Sequence, residues 1–263
     1  MKTLRYFLCA ALMMAGAVCQ AQEDAWEKWG PTDKKDNVGF LVRAGYTIGG
    51  TTPLPLPNEI RAIKGFSPKG GATIGADLYK MYSKRWGVSF GCHFFYEGFN
   101  TTAEVKNYYM SLERDGDVMT GYFTGTDVTN TSMWGVTLPL TAVFRLSPRW
   151  SVALGPYVSA YFAKSFKGIV YENSAGIGYL REGTPTGTYV EITSDIETTY
   201  DFSDDMREWN AGLELCFDWK ATRHFNVFGK VDWGISNIWD KSFKTVTFPM
   251  YPIYATVGMA YRY

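Results

Sequence analysis

His93 and Glu97 stand four residues apart in a stretch whose alternation puts both on one face, and Ser89 lies four residues before His93 on that same face. A hydroxyl, an imidazole and a carboxylate are the parts of a nucleophilic relay, in which the base takes the hydroxyl proton and the acid orients the base. Along an extended strand Ser89 and His93 are ~13 Å apart, too far for that transfer. The plainer reading makes His93 and Glu97 members of a buried hydrogen-bonded or ion-paired network. His224, the other histidine, falls in a short turn, as a solvated turn residue does. Asp201, Asp204 and Asp205 with Glu208 form an acidic patch, but their spacing is not that of the twelve-residue calcium loop. No His/Cys cluster has zinc spacing. Gly49-Gly50 and Gly70-Gly71 open no phosphate-binding Gly-x-Gly-x-x-Gly element. The sequence therefore assigns no catalytic, cofactor-binding or metal-binding residue, and no cofactor.

Two further groups bear on binding. Pro53, Pro55 and Pro57 give an extended stretch that either stiffens an exposed loop or offers a docking surface. Tyr108, Tyr109, Tyr122 and Phe123 either pack loop against loop or line an external cleft.

The elements that must hold these residues begin after an export signal. Lys2 and Arg5 precede the apolar stretch Tyr6 to Val18, and Cys19-Gln20-Ala21 precedes a cut at Ala21/Gln22. The stretch is shorter than the ~20 residues that span a bilayer as a helix. Acylation at Cys19 is the alternative, which the bulk of Val18 disfavours. Residues 1–21 are thus read as a signal peptide, 22–37 as a periplasmic N-terminal segment and 38–263 as one barrel domain. The whole chain has 26 basic and 26 acidic residues; cleavage leaves 24 against 26, a formal charge of −2. That balance excludes a nucleic-acid binder with a general basic surface. Cys92 and Cys216 remain, too few for a disulfide scaffold.

No later segment offers 18 consecutive apolar residues, so a helical span is excluded and a closed β-barrel is the remaining way to cross a membrane. Eight segments alternate with a period of two, starting near Val38, Gly71, Trp86, Trp134, Trp150, Trp209, Phe225 and Tyr251. In the third, Trp86, Val88, Phe90, Cys92, Phe94 and Tyr96 share a face opposite Gly87, Ser89, Gly91, His93, Phe95 and Glu97. The apolar faces are large throughout, with aromatics near their ends. The opposite faces carry Arg43, Asp77, His93, Glu97, Arg145, Glu214, Lys230, Asp232 and Arg262. A soluble barrel would reverse that polarity. Apolar stripes facing water on all eight strands would aggregate.

Short turns (near 83–85, 147–149 and 220–223) alternate with long connections (49–70, 98–133, 163–208 and 236–250), as in a barrel with both termini in the periplasm. The expected fold is all-β: a transmembrane, antiparallel, up-and-down β-barrel of eight strands with long extracellular loops. Tyr108 to Leu112 and Val118 to Val128 flank the turn Arg114-Asp115-Gly116-Asp117 and read as strands projecting beyond the bilayer. Tyr189 to Phe202 reads as a returning hairpin. Ten spanning strands is the alternative, against which these segments are too polar for lipid. In this register Cys92 faces lipid and Cys216 the lumen, so no disulfide joins them.

The chain resembles the PorT-like, or outer membrane β-barrel domain, proteins of the Bacteroidetes. The matching pieces are Gln20-Ala21-Gln22 at the signal, Leu138-Pro139-Leu140, Leu154-Gly155-Pro156-Tyr157, Asn210-Ala211-Gly212-Leu213-Glu214 and the aromatic C-terminus. The resemblance covers most of the mature chain. It implies the cell outer membrane as location and no common enzymatic activity; one member class takes part in protein secretion. Tyr263, Tyr261 and Met259, in phase, look like the recognition signal for the barrel-insertion machinery. The partners expected are that machinery during assembly, outer-membrane lipid and lipopolysaccharide, and an unidentified extracellular ligand, with no nucleic acid.

Three functions are open to such a chain. The first is a non-enzymatic scaffold or binding surface acting through external loops, its lumen plugged by charges with Tyr157, Tyr161, Phe95 and Phe228. The second is a narrow pore or transporter for small solutes, through the lumen or a lateral gap beside Pro139 or Pro156. The third is a membrane-embedded lipid hydrolase or acyltransferase, for which the sequence supplies least.

Overall fold

The computed structural model describes residues 38–263; the expected signal peptide (1–21) and periplasmic segment (22–37) lie outside the described residues. The described residues form twelve strands: β1 (Val38–Pro53), β2 (Ile60–Pro68), β3 (Gly71–Met81), β4 (Trp86–Arg114), β5 (Asp117–Arg145), β6 (Trp150–Tyr171), β7 (Tyr179–Glu182), β8 (Tyr189–Glu191), β9 (Thr198–Asp201), β10 (Trp209–Lys220), β11 (Phe225–Gly234) and β12 (Met250–Arg262). Eight of them close a ring of antiparallel pairs in the order β1, β3, β4, β5, β6, β10, β11, β12. The closing pair runs from Leu41↔Arg262 to Pro53↔Met250. The expected eight-stranded up-and-down barrel is the fold observed.

The alternation sets which way each strand faces. Phe90 is 52% exposed and Phe94 56%, while the alternating Gly91, His93 and Phe95 are buried. Ile74, Leu140, Leu154, Phe217 and Met259 point outward, and Arg43, Asp77, Glu214 and Lys230 point inward. Apolar residues outside with buried charges inside is the polarity that lipid demands. Trp86 stacks near Phe144 at one rim and Tyr96 near Trp134 at the other, each pair 4.6 Å apart. The ten residues between the rims of β4, tilted as barrel strands are, span roughly 25 Å, the height of a membrane apolar band.

At the inner rim three turns share one chemistry. Ser83, Ser147 and Thr222 hydroxyls accept the backbone amides of Trp86, Trp150 and Phe225 at 2.9, 3.1 and 3.0 Å. Each turn is thereby closed by its own side chain.

At the outer rim the sheet does not stop. β4 and β5 are 29 residues each and run on together to a two-residue turn, Asp115 (φ 54°) and Gly116 (φ 89°). Two positive φ angles in sequence are the hairpin turn that Asp-Gly favours. The projecting strands expected from the sequence are therefore continuous with the wall. β6 also runs on to Tyr171, where a loop from residue 163 was expected. β9 then pairs with β6 through Gly168↔Tyr200 and with β4 through Glu113↔Thr199. These strands wrap an apolar core above the membrane that includes Met110, Leu112, Phe123, Val170, Leu180 and Trp239.

Two expectations need correction. Residues 60–68, read as loop, form β2, which pairs with Phe99–Val105 of β4 and extends the line of β3. Tyr189 to Phe202 does not fold back on itself. β8 pairs with β7, and β9 with β6 and β4, because the apolar core recruits each short piece separately.

The extended wall forks. β1 pairs with β3 up to Thr47↔Gly71, and beyond that β1 follows β12 while β2 follows β4. Gly70, at φ +75°, makes the bend between β2 and β3; a Cβ there would meet the Tyr46 hydroxyl at 2.7 Å. Above the fork β1 and β2 are not paired among the described residues, and side chains fill the gap. Gly50 of β1 backs onto Phe66 and Phe99.

Candidate functional site

The lumen is filled by two ion-paired clusters. In the first, Arg43 of β1 holds Asp77 of β3 through Nε and Asp218 of β10 through both terminal nitrogens, at 2.8 and 3.1 Å. Its guanidinium also lies 4.9 Å from the centre of the Phe228 ring. In the second, Lys230 of β11 bonds Glu214 at 3.1 Å and Asp232 at 2.8 Å. Between these groups a cavity of about 50 Å³ remains, room for a water or two. Tyr157, Phe95 and Phe228 are buried in the lumen and Tyr161 half-buried, the places expected of a plug.

His93 and Glu97 share the lumenal face but do not work as a pair. His93 Nε2 bonds Asp77 Oδ1 at 3.0 Å, so its carboxylate comes from β3 and is already held by Arg43. Nδ1 of His93 meets no hydrogen-bond partner, and Ser89 is not bonded to the imidazole. Glu97 instead feels the charges of Asp232 and Lys230. His93 and Asp77 thus form a base–acid pair buried among salt bridges, with no hydroxyl among the described residues bonded to the imidazole. His224 stacks on Tyr261 and bonds the Arg262 carbonyl at 3.2 Å in its turn.

The remaining sequence candidates disperse. Asp201 bonds Ser203 and Lys167 (2.8 Å), and no group of three or more His, Cys, Asp or Glu among the described residues is arranged to hold a metal ion. Cys92 is half-buried on the outer face, Cys216 is buried in the lumen, and both are free. Pro139 and Pro156 do not open the wall. The ladder loses bonds beside Pro139, which has no N–H, yet Gly155 lies against the Leu140 backbone and the register continues.

A larger space lies in the outer head, behind the fork. It is a cavity of about 380 Å³ between the outer ends of β1, β2, β4, β5 and β12. Its wall is mostly apolar, from residues such as Ile60, Phe99, Val105, Phe166, Phe248 and Met250. Tyr108, which stacks on Phe248 at 5.7 Å, lines it; Phe123 is packed in the core instead, and Tyr109 and Tyr122 pack on each other. Of the four aromatics singled out by sequence, one reaches the cavity.

The polar part of this wall is a relay of hydroxyls on a carboxylate. Tyr200 donates to Asp127 Oδ1 at 2.8 Å and sits 2.8 Å from Thr129 Oγ1. Asp127 is 7% exposed, and among the described residues no basic side chain bonds it. Burial pushes its pKa up to about 7, against the lowering effect of the hydroxyl bonds. Burial and the Asp127 charge also raise the Tyr108 and Tyr200 phenols above their ordinary value. Across the space Thr51 Oγ1 is buried without a partner. Sequence reading passed over Asp127 and Tyr200. The available signal was a charge inside the inward series Phe123, Gly125, Asp127, Thr129 and Thr131.

The model of the family described as outer membrane protein beta-barrel domain matches residues 20–240. No curated protein matches the chain. Among solved structures it is similar to Ail, the attachment invasion locus protein of Yersinia pestis, in complex with the heparin analogue sucrose octasulfate. That match has 9% identity, 86% of this chain and 99% of the other covered, and a TM-score of 0.36. It is similar also to CarO2 of Acinetobacter baumannii, with 12% identity, 86% and 99% covered and a TM-score of 0.39. A third is the outer membrane protein OprG of Pseudomonas aeruginosa, with 13% identity, 86% and 95% covered and a TM-score of 0.36.

Proposed function

We propose, from the premise that the chain belongs to the outer membrane protein beta-barrel domain family, that it is a non-enzymatic, non-conducting barrel whose extracellular head is its binding surface. In this reading the barrel is an anchor, and the continuation of β4, β5 and β6 carries the function outward. Residues 1–21 direct export and are removed, and 22–37 lie in the periplasm. The aromatic C-terminus engages the barrel-insertion machinery, and lipopolysaccharide surrounds the outer half of the wall. The finer kinship with PorT-like proteins belongs to the same proposal and brings no secretion role with it.

The observation that carries this reading is the lumen. Eight strands leave an interior that side chains can fill. Here they fill it with ion pairs, one across the barrel from Arg43 to Asp218 and one between the neighbouring strands β10 and β11 from Lys230 to Glu214. A continuous water path would have to break these pairs and lose the mutual attraction of closely held charges. The absence of a bonded hydroxyl at His93 supports the non-enzymatic half.

The test is conductance across a planar bilayer, with protein refolded in detergent and shown to migrate as a heat-modifiable barrel. A silent bilayer is expected. Discrete, reproducible openings would overturn the closed-lumen reading and favour a narrow pore.

A further inference from the structure

We propose that the cavity in the head binds one apolar molecule that carries a single hydrogen-bond-donating end, such as an aliphatic alcohol, with that end seated on Asp127. The inference rests on the reading of the head as the binding surface and names the chemistry of what it binds.

Four observations lead to it. The first is size: about 380 Å³ is at the small end of the range of ligand pockets, ~300–1,000 Å³. It suits one short chain or ring system rather than a whole lipid. The second is the wall, which is mostly aliphatic and aromatic, as in pockets that bind by burial and orient by a few polar groups.

The third is the chemistry of the polar end. A carboxylate has about four acceptor positions. Asp127 uses some on the Tyr200 and Thr129 hydroxyls and bonds no cation. A buried carboxyl without a cation is costly in the empty site, and a ligand donor relieves that cost. An anionic ligand end would meet the Asp127 charge and find no basic side chain there. Thr51 Oγ1, unpartnered on the opposite wall, is a further polar atom for the same end group or a water beside it.

The fourth is the approach. Leu56, Ile63 and Phe66 line the cavity and are each more than half exposed. They stand where β1 and β2 separate, just beyond Tyr46 of the outer aromatic level. Exposed apolar side chains at that height suit a molecule arriving from the interface of the outer leaflet.

The experiment is equilibrium dialysis of radiolabelled decanol, and separately decane, against the protein in zwitterionic-lipid nanodiscs, with empty nanodiscs subtracted. One saturable decanol site per chain is expected, with decane about tenfold weaker, the size of effect one hydrogen bond gives. Ala103→Phe, which fills the cavity from its wall, removes the saturable component. Asp127→Val brings decanol down to the decane level. Asp127→Asn, whose amide oxygen still accepts, keeps most of the binding and guards against a folding artefact. The inference fails if decanol binds no better than to empty nanodiscs, if Ala103→Phe leaves binding unchanged, or if decane equals decanol. Conductance on the same preparation separates the two readings: a silent barrel without decanol binding rejects the cavity assignment alone.

Discussion

Arg43 and Asp218 meet across the lumen from strands 175 residues apart in sequence, in a two-pronged contact at 2.8 and 3.1 Å. The same guanidinium holds Asp77 on the adjacent strand, and Asp77 in turn bonds His93. Four wall residues from β1, β3, β4 and β10 are thus tied through one cation. Such a tie fixes which strands face each other across the barrel, beyond what the pairing of neighbours fixes. In the closed-lumen reading proposed above, the same tie occupies the passage that an open pore would need.

Replacing Arg43 by Met keeps much of the stem and removes the charge. Asp77 and Asp218 are then left buried and facing each other's field. Loss of one partner from a buried pair costs about 3–5 kcal/mol. The expected result is an unfolding free energy, measured by urea titration, lowered by that amount relative to the parent. Adding Asp77→Asn and Asp218→Asn to Arg43→Met should restore most of the loss. Restoration absent, or no loss in the single variant, would show that the cluster contributes little.

The two thiols report the register. Cys92 is half-buried on the outer face and Cys216 is 3% exposed inside. A membrane-soluble maleimide should label Cys92 in the folded barrel and leave Cys216 untouched until the protein is unfolded. Mass spectrometry after digestion reads the two sites separately. A disulfide between them, or labelling of Cys216 first, would mean that one strand has slipped by a residue, since such a slip exchanges its faces.

The eight wall strands were legible because lipid and lumen impose opposite demands on successive residues, so that Phe90 and His93, or Phe217 and Asp218, declare their sides. The Asp115-Gly116 turn was legible from its residue types. Ile60–Pro68 was not. β2 faces lipid with neither side consistently, and its strand form comes from pairing with β4 across the sheet. The split of residues 189–202 between two partners likewise depends on long-range packing against Met110, Phe166 and Trp239. The partner of His93 was hidden for a similar reason: its carboxylate is 16 residues away on another strand. Asp127 carried a readable sign, but the space beside it arises only where β1 and β2 part.

That parting gives a third prediction. Gly70 at φ +75° would cost a side chain strain, and its Cβ would also meet the Tyr46 hydroxyl at 2.7 Å. Gly183 has a similar φ of +71° with nothing within 4 Å. Gly183→Ala should therefore cost about 1 kcal/mol, and Gly70→Ala about 1–3 kcal/mol. Tyr46→Phe removes the nearest obstructing atom but leaves ring carbons at 3.1 and 3.2 Å, and should reduce the Gly70→Ala penalty in part. Urea unfolding of the four variants decides it; equal losses at the two glycines would reject a steric role for Tyr46 at the bend.

The head should be more stable in acid than at neutral pH, and Asp127 is the reason. Its carboxyl is pushed up to about 7 by burial, well above the ~3.9 of an unfolded aspartate. Between those values the folded head holds a proton that the unfolded chain has released. Stability then falls as pH rises through that window, by on the order of 2–4 kcal/mol, and levels off above the folded value. The groups that face Asp127, Tyr200, Thr129 and Tyr108, stay neutral throughout, and the Glu59 charge acts on Tyr108. Elsewhere in the head, Asp201 and Glu172 are shifted down, chiefly by bonds from Lys167 and Ser203 and from Ser194, so their support is lost below the window. Asp205 is shifted up by burial and its acidic neighbours, in the same direction as Asp127. The contribution of Asp127 is therefore read as a difference. Unfolding midpoints at pH 5 and pH 8 should separate in the parent more than in Asp127→Asn, which cannot titrate. If both proteins show the same slope, Asp127 is not the group that governs the acid stability of the head.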